Sequence, residues 1–157
     1  MQREMNFMRK AIELSRKGIT TNEGGPFGCV VVKGDEVVGC GWNRVTSTND
    51  PTAHAEVVAI RDACAHLQSF QLTGCEIYTS CEPCPMCLGA IYWARPARVF
   101  FANTKADAAA AGFDDQIIYQ EIEKPLGERL IPMQPLLREE ALEGFRAWQR
   151  HEGRQAY

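Results

Sequence analysis

Met5, Met8 and Ile12 recur at three- and four-residue intervals, so 4–17 reads as a helix with one apolar face, closed by Gly18 as its C-cap. Gly24-Gly25-Pro26 breaks the chain. The period then changes: 27–33 and 36–42 are β-rich runs joined through Gly34-Asp35, which predicts a hairpin, and 43–49 is a polar loop. Asp50-Pro51 supplies an N-cap and first helical residue for a helix whose buried face carries Val57, Ile60, Cys64 and Leu67. A short strand at 75–80 follows, then a third helix to about Ala94 before Arg95-Pro96, then a strand at 98–102. Beyond it, 107–111 reads as a helical turn, 116–122 is ambiguous, and 129–133 is a last strand despite Pro132. Leu142, Phe145 and Trp148 give a C-terminal helix an apolar stripe. Helices and strands that alternate after the hairpin imply crossover connections, hence parallel pairing in an α/β fold whose sheet is covered by helices. No repeat, low-complexity tract or linker divides 1–157, which reads as one domain.

Composition narrows the partners more than the fold. At 157 residues the chain can bury roughly two thirds of its unfolded surface without staples. Apolar residues make up 45% and charged residues 24%, a soluble, globular balance. The longest apolar stretch, around Cys87–Ala94, is too short for a bilayer, and no signal-peptide pattern opens the chain, so a cytoplasmic location and no membrane partner are expected. Seven cysteines, an odd number, fit that location; Cys29, Cys40, Cys64 and Cys75 read as small core residues. A net charge of −3 offers no general field for a polyanion and favours a small substrate over nucleic acid. The exception is a basic stripe at Arg146, Arg150 and Arg154, interrupted by Glu143 and Glu152.

Two short motifs carry the chemistry. His54-Ala55-Glu56 and Pro83-Cys84-Pro85-Met86-Cys87 together offer one imidazole and two thiolates. A catalytic zinc keeps three protein ligands and an open position for water, whereas a structural zinc is closed by four. Residues two apart on a helix diverge by about 200°, so His54 and Glu56 share a metal only from a helix's first turn. Cys84 and Cys87 lie on nearly one face, and the prolines suit a helix entry. Both motifs therefore belong at helix N-termini, whose partial positive charge favours thiolates. His54, Cys84 and Cys87 would leave a Zn²⁺ site formally neutral, with Glu56 spare for proton transfer. Cys81 extends the spacing to a Cys₃His alternative, a closed structural zinc with no catalysis, and the sequence leaves both open.

The same two motifs resemble the zinc-dependent cytidine deaminase superfamily, with its H-x-E and P-C-x-x-C signature. The resemblance implies a three-layer α/β/α sandwich around a mixed five-stranded sheet, one Zn²⁺ per subunit on His54, Cys84 and Cys87, Glu56 as proton shuttle, and Cys81 outside the ligand set. The segments 41–45 and 50–56 resemble both bacterial guanine deaminases and tRNA adenosine deaminases; 80–96, 111–115 and the terminal Tyr157 resemble the guanine deaminases. That likeness implies hydrolysis of guanine to xanthine and ammonia. It weakens between Glu123 and Arg154, where no functional residue is assigned by motif.

Guanine presents N1–H and an amine as donors and O6 and N7 as acceptors, so its pocket wants a carboxylate and an amide. Asp114 or Asp115 can accept, and Asn43 can accept and donate. By resemblance Asp115 is favoured, with Asn43 and the backbone of Ala55 on the purine; Phe27 and Trp93 are plausible walls for the ring. The family also implies a homodimer in which an exchanged C-terminal segment brings Tyr157 to the partner's site. The rivals are a tRNA adenosine deaminase, a cytosine or triazine aminohydrolase, and a non-catalytic zinc-stabilised binding domain.

Overall fold

Gly28–Lys33 is an almost unbroken apolar run, the pattern of a strand covered on both faces. The structure, a computed structural model describing residues 1–157, bears this out: Cys29 and Val31 enter one buried cluster, Val30 and Val32 the other. This strand, β1, pairs antiparallel with β2 (Glu36–Trp42) through the two-residue turn Gly34-Asp35, and antiparallel with β3 (Cys75–Cys81) on its other side. β3 pairs in parallel with β4 (Arg98–Asn103), giving the order β2-β1-β3-β4. The sheet is mixed, as expected, but has four strands rather than five. Residues 129–131 are bends and 132–133 are irregular, since Pro132 has no N–H to give a ladder.

The chain divides into two units, 1–115 and 116–157. In the first, α1 (Gln2–Thr20) covers one face of the sheet through Phe7 and Ala11. It extends past Gly18, and its buried line is Phe7, Ala11, Ser15 and Gly18; Met5 is exposed, which corrects the expected face and cap. Gly18 packs closely instead of capping: a Cβ there would sit 3.1 Å from the Gly25 carbonyl and 3.3 Å from that of Asn43. Tyr78 of β3, fully buried, lies 5.5 Å from Phe7 and stacks on Phe100 at 4.7 Å. Each such aromatic pair adds about 0.5–1.5 kcal/mol beyond area burial.

The opposite face carries α3 (Ala55–Leu67) and α4 (Pro85–Ala94) over Cys29, Val31 and Ile77, completing three layers. A one-turn helix, α2 (Val45–Thr48), interrupts the expected polar loop. α3 starts four residues later than Asp50-Pro51 predicts, because the Asp50 carboxylate is engaged by Thr52, accepting from its N–H at 2.8 Å and its hydroxyl at 2.7 Å. Gly41 lets α3 approach β2: a Cβ there would stand 2.2 Å from the Ala55 carbonyl oxygen. After β4, Thr104 and Asp107 form a reciprocal capping box that starts α5 (Lys105–Ala110).

The second unit contains α6 (Gln116–Glu123), which resolves the ambiguous segment as helix, a 3₁₀ turn at Leu126–Glu128 and α7 (Arg138–Arg150). The expected apolar stripe is on α7, where Phe145 and Trp148 are exposed. The arginine stripe does not persist. Arg146 pairs with Glu143, the helix ends at Arg150, and Arg154 donates to the carbonyls of Gln149 and His151.

Candidate active site

Both chemical motifs sit at helix N-termini. His54 is the N-cap of α3 in extended conformation, and its carbonyl accepts the Val58 N–H at 3.0 Å. This places Ala55 and Glu56 in the first turn, where backbone N–H groups lack carbonyl partners within the helix. Cys84 caps α4: its Sγ accepts from the Cys87 N–H at 3.5 Å, and Pro85 takes the first helical position without losing a needed donor.

The caps converge. His54 Nδ1 lies 3.5 Å from the Cys84 sulfur and 3.5 Å from that of Cys87, and one ligand atom from each of the three residues lies within 4.8 Å of the others. A tetrahedral zinc, with bonds of about 2.0–2.1 Å to nitrogen and 2.3 Å to sulfur, holds such atoms about 3.5 Å apart. The donor set therefore fits the ion. The sulfurs share a proton unequally: a hydrogen bond from Cys87 pulls the Cys84 thiol down to about 4, and the same bond pushes Cys87 far up. His54 is raised, chiefly by its hydrogen bond to Cys84.

Cys81 stands apart from this cluster. It is buried at the end of β3, its thiol donates to the Thr104 carbonyl at 3.6 Å, and burial pushes its pKa up to about 11. The metal group therefore contains three residues, which distinguishes it from the closed Cys₃His alternative.

Glu56 is only 6% exposed, and its nearest positive influence is His54 rather than a lysine or arginine ion pair. The Thr79 hydroxyl donates to its Oε1 at 3.2 Å and the Cys87 thiol to its Oε2 at 3.4 Å. Burial, the largest influence, raises its pKa and favours a carboxyl that exchanges protons.

Around this centre the expected substrate residues fall in different places. Asn43 is buried, and its Oδ1 accepts from the Gly25 and Val45 N–H groups, each at 3.2 Å. Ala55 is fully buried behind the first turn of α3. Asp115 is partly buried and senses the charges of Cys84 and His54; its pKa is raised, first by burial and then by Cys84. Asp114 is exposed. Phe27 meets Phe113 edge-on at 5.0 Å and 86°. Trp93 is 64% exposed, six residues along α4 from Cys87 and thus about 120° around the helix from it. Tyr157 is also exposed.

Sequence reasoning did not assign roles to Phe113, Thr79, Gly25 or Val45. Thr79 alone carried a signal, as a polar residue inside an apolar strand. The others act through a ring contact or a backbone N–H, neither of which has a spacing to read.

Residues 1–103 match the cytidine and deoxycytidylate deaminase zinc-binding region. Guanine deaminase of Bacillus subtilis is 53% identical over 151 residues, spanning 96% of this chain and 97% of that protein. The chain belongs to the zinc-dependent cytidine deaminase superfamily, among its guanine deaminases. The X-ray structure of the Bacillus subtilis guanine deaminase superposes with a TM-score of 0.95 at 52% identity, covering 98% of each chain. A tRNA-specific adenosine deaminase of Haemophilus influenzae is 36% identical over 126 residues, 76% of this chain and 72% of its own. The likeness to the guanine deaminase thus extends across both units, while that to the tRNA enzyme is lower and shorter. No helix is long and apolar enough to cross a membrane.

Proposed function

We propose that this chain catalyses the hydrolytic deamination of guanine to xanthine and ammonia. The observation that carries the reading is the likeness to a guanine deaminase over nearly all of both chains, joined to a three-ligand cluster beside a buried carboxylate. His54, Cys84 and Cys87 would hold zinc. When bound, zinc supplies a Lewis acid that makes water ionisable near neutral pH. Glu56 accepts the first proton of the water that attacks C2 and gives it to the adjacent ring nitrogen, then carries the second from the new C2 hydroxyl to the amine, so C2–O forms first and C2–N breaks as ammonia leaves. Thr79 holds one Glu56 oxygen, leaving the other to face the ligands.

For the base itself, Asp115 accepts from the N1–H and amine edge and Asn43 serves the other side. The Ala55 backbone, Phe27 and Trp93 complete the contacts, and Asp114 is the subordinate carboxylate. The protein acts as a cytoplasmic homodimer, in which Leu142, Phe145 and Trp148 support an exchanged C-terminal segment that delivers Tyr157 to the partner subunit's site. The exposure of Phe145 and Trp148 supports this arrangement.

Zinc-loaded protein should release ammonia from guanine, and not from guanosine, adenine, cytosine or an adenosine-containing tRNA loop. Absence of guanine turnover would end this reading, and turnover of the tRNA loop would favour the adenosine deaminase. Glu56→Ala should retain zinc and lose activity by about 10³-fold or more; an active variant would indicate a binding module. Mixing Glu56→Ala with a chain lacking the tail should restore some activity through mixed dimers. No restoration under verified subunit exchange would argue against the exchanged tail.

A further inference from the structure

Asn43 stands between two segments, and both are held by Glu23. The Glu23 N–H donates to the Gly18 carbonyl near the end of α1 at 2.9 Å. Its own carbonyl accepts from the Ser47 N–H at 3.2 Å and the Thr46 hydroxyl at 2.9 Å. Its carboxylate accepts the Trp42 indole N–H and faces Arg44 Nε at 3.9 Å. Trp42 is gripped further, with Lys17 Nζ 3.8 Å and the Arg44 guanidinium carbon 4.0 Å from its ring centre. One residue thus ties α1 to the residues on both sides of Asn43.

This strap has a chemical consequence two residues on. Gly25 is brought close enough to donate to Asn43 Oδ1, and Val45 donates to the same atom. Two N–H donors on one amide atom require that atom to be the oxygen, because an NH₂ in its place would face them donor to donor. The amide therefore cannot flip. Its acceptor is occupied by the backbone, and its NH₂ is what Asn43 has to offer a ligand. Space enforces the same arrangement, since a Cβ on Gly24 would lie 2.2 Å from Asn43 Oδ1.

We infer that Glu23 is a positioning residue for specificity: through Trp42 and the Gly25 amide it fixes Asn43 as a hydrogen-bond donor, which selects a base with acceptors on its O6/N7 edge. This deepens the guanine reading and rests on it. Asp115 serves the donor edge of the base, so the two side chains divide the recognition between them. Glu23 does not touch the base in this arrangement. Its loss acts on substrate affinity and leaves the proton chemistry of Glu56 in place.

The test uses zinc-loaded protein and four variants, Glu23→Ala, Glu23→Gln, Trp42→Phe and Asn43→Asp. Glu23→Ala should raise KM for guanine about tenfold with kcat changed less than about threefold, the size expected for one misplaced hydrogen bond. Glu23→Gln, which keeps an acceptor for the indole, should recover most of the loss. Trp42→Phe, which removes that donor but keeps a ring, should reproduce it. Asn43→Asp keeps an oxygen for both backbone donors but has no NH₂, and should lose more than either.

Competitive inhibition by 7-deazaguanine and 2-aminopurine, which lack N7 and O6 respectively, supplies the discriminating readout. The Glu23→Ala penalty should shrink on at least one of them. An equal penalty on guanine and both analogues, or no KM penalty, would overturn the assignment. The Asn43 side-chain NH₂ resonances provide a readout independent of turnover: sharp and slow to exchange in the wild type, broadened in Glu23→Ala. Unchanged resonances would also overturn it. If the wild type fails to turn over guanine while these resonances behave as expected, the substrate reading fails and the strap stands.

Discussion

The two ends of β3 each hold a carboxylate, and their fates are opposite. At the amino end, Glu76 accepts from Arg3 at 2.6 Å and from the Tyr78 hydroxyl at 2.8 Å, with Arg98 at 3.5 Å. Arg3 also binds Asp35 at 2.7 Å and donates to the Gly34 carbonyl, so one guanidinium joins α1, the hairpin turn and β3. Arg3, as the largest influence, holds the Glu76 carboxyl below its ordinary range. At the carboxyl end, Glu56 lies beside Thr79 and the ligand cluster without a lysine or arginine ion pair, and burial drives it the other way. A charge matched by fixed countercharges stabilises a fold but has little left to offer a substrate. A carboxyl deprived of them is costly to bury and chemically available.

The largest test of this contrast removes a ligand. Cys84→Ser should cost both a thiolate and the thiolate cap of α4, so zinc content after dialysis against a chelator should fall to near zero, with activity down about 10³-fold or more. A fully zinc-loaded Cys84→Ser protein would mean that the carboxyl end of β3 is not built around the ion.

Gly24→Ala is the next largest. The added Cβ would meet Asn43 Oδ1 at 2.2 Å and the Asn43 carbonyl at 2.4 Å, so Asn43 must move. A displacement near 1 Å in a substrate-positioning group costs about 100-fold, and kcat/KM for guanine should fall by that order while zinc content stays unchanged. Normal kinetics would show that the carboxyl end tolerates the looseness seen in ordinary loops.

What the sequence disclosed follows the same division. The ligands and Glu56 were legible because metal chemistry demands fixed residue types at fixed spacing, and His-x-Glu with Cys-x-x-Cys meets that demand in the chain itself. The strands at 28–33 and 36–42 were legible from apolar runs around a turn dipeptide. The start of α3 was not, because Asp50 has a stronger local use in its bonds to Thr52, and His54 takes the cap. The buried line of α1 was missed because Ala11, Ser15 and Gly18 are small: close packing buries them, whereas periodicity weights the larger Met5, which stays exposed. The fifth strand was misread from a short apolar stretch in which Pro132 has no N–H. Strands β2 and β3 do run in one direction, as a crossover requires, but β1 lies between them.

At the amino end of β3, Glu76→Gln should leave zinc and kinetics alone and lower Tm by about 2–4 °C, the equivalent of roughly 1 kcal/mol in a chain of this size. The pH dependence has a definite sign. Glu76 is held below its ordinary value of 4.5, so its contribution is complete above the unfolded value and disappears as pH falls through the lowered folded one. The Tm gap between wild type and Glu76→Gln should therefore be constant near neutrality and close below about pH 4.5. A gap that widened on acidification would contradict the pairing with Arg3.

The smallest effect tests where the boundary between the two regimes lies. Cys81 belongs by position to the catalytic end, three residues before a ligand, yet its thiol is spent on the Thr104 carbonyl and its pKa is high rather than low. Cys81→Ala should bind one zinc per chain as tightly as the wild type and keep its activity, since the deleted sulfur is no ligand. Its cost should be structural, about 1 kcal/mol for a lost buried contact, since the Thr104 carbonyl keeps the Ala108 N–H at 3.2 Å, and it should be read as a small drop in Tm. Zinc loss in Cys81→Ala would make the centre a four-ligand site and erase the contrast with Cys84. Retention would mean that the regime changes within three residues, between a thiol that burial keeps neutral and a thiol that hydrogen bonds from Cys87 and His54 hold ionised.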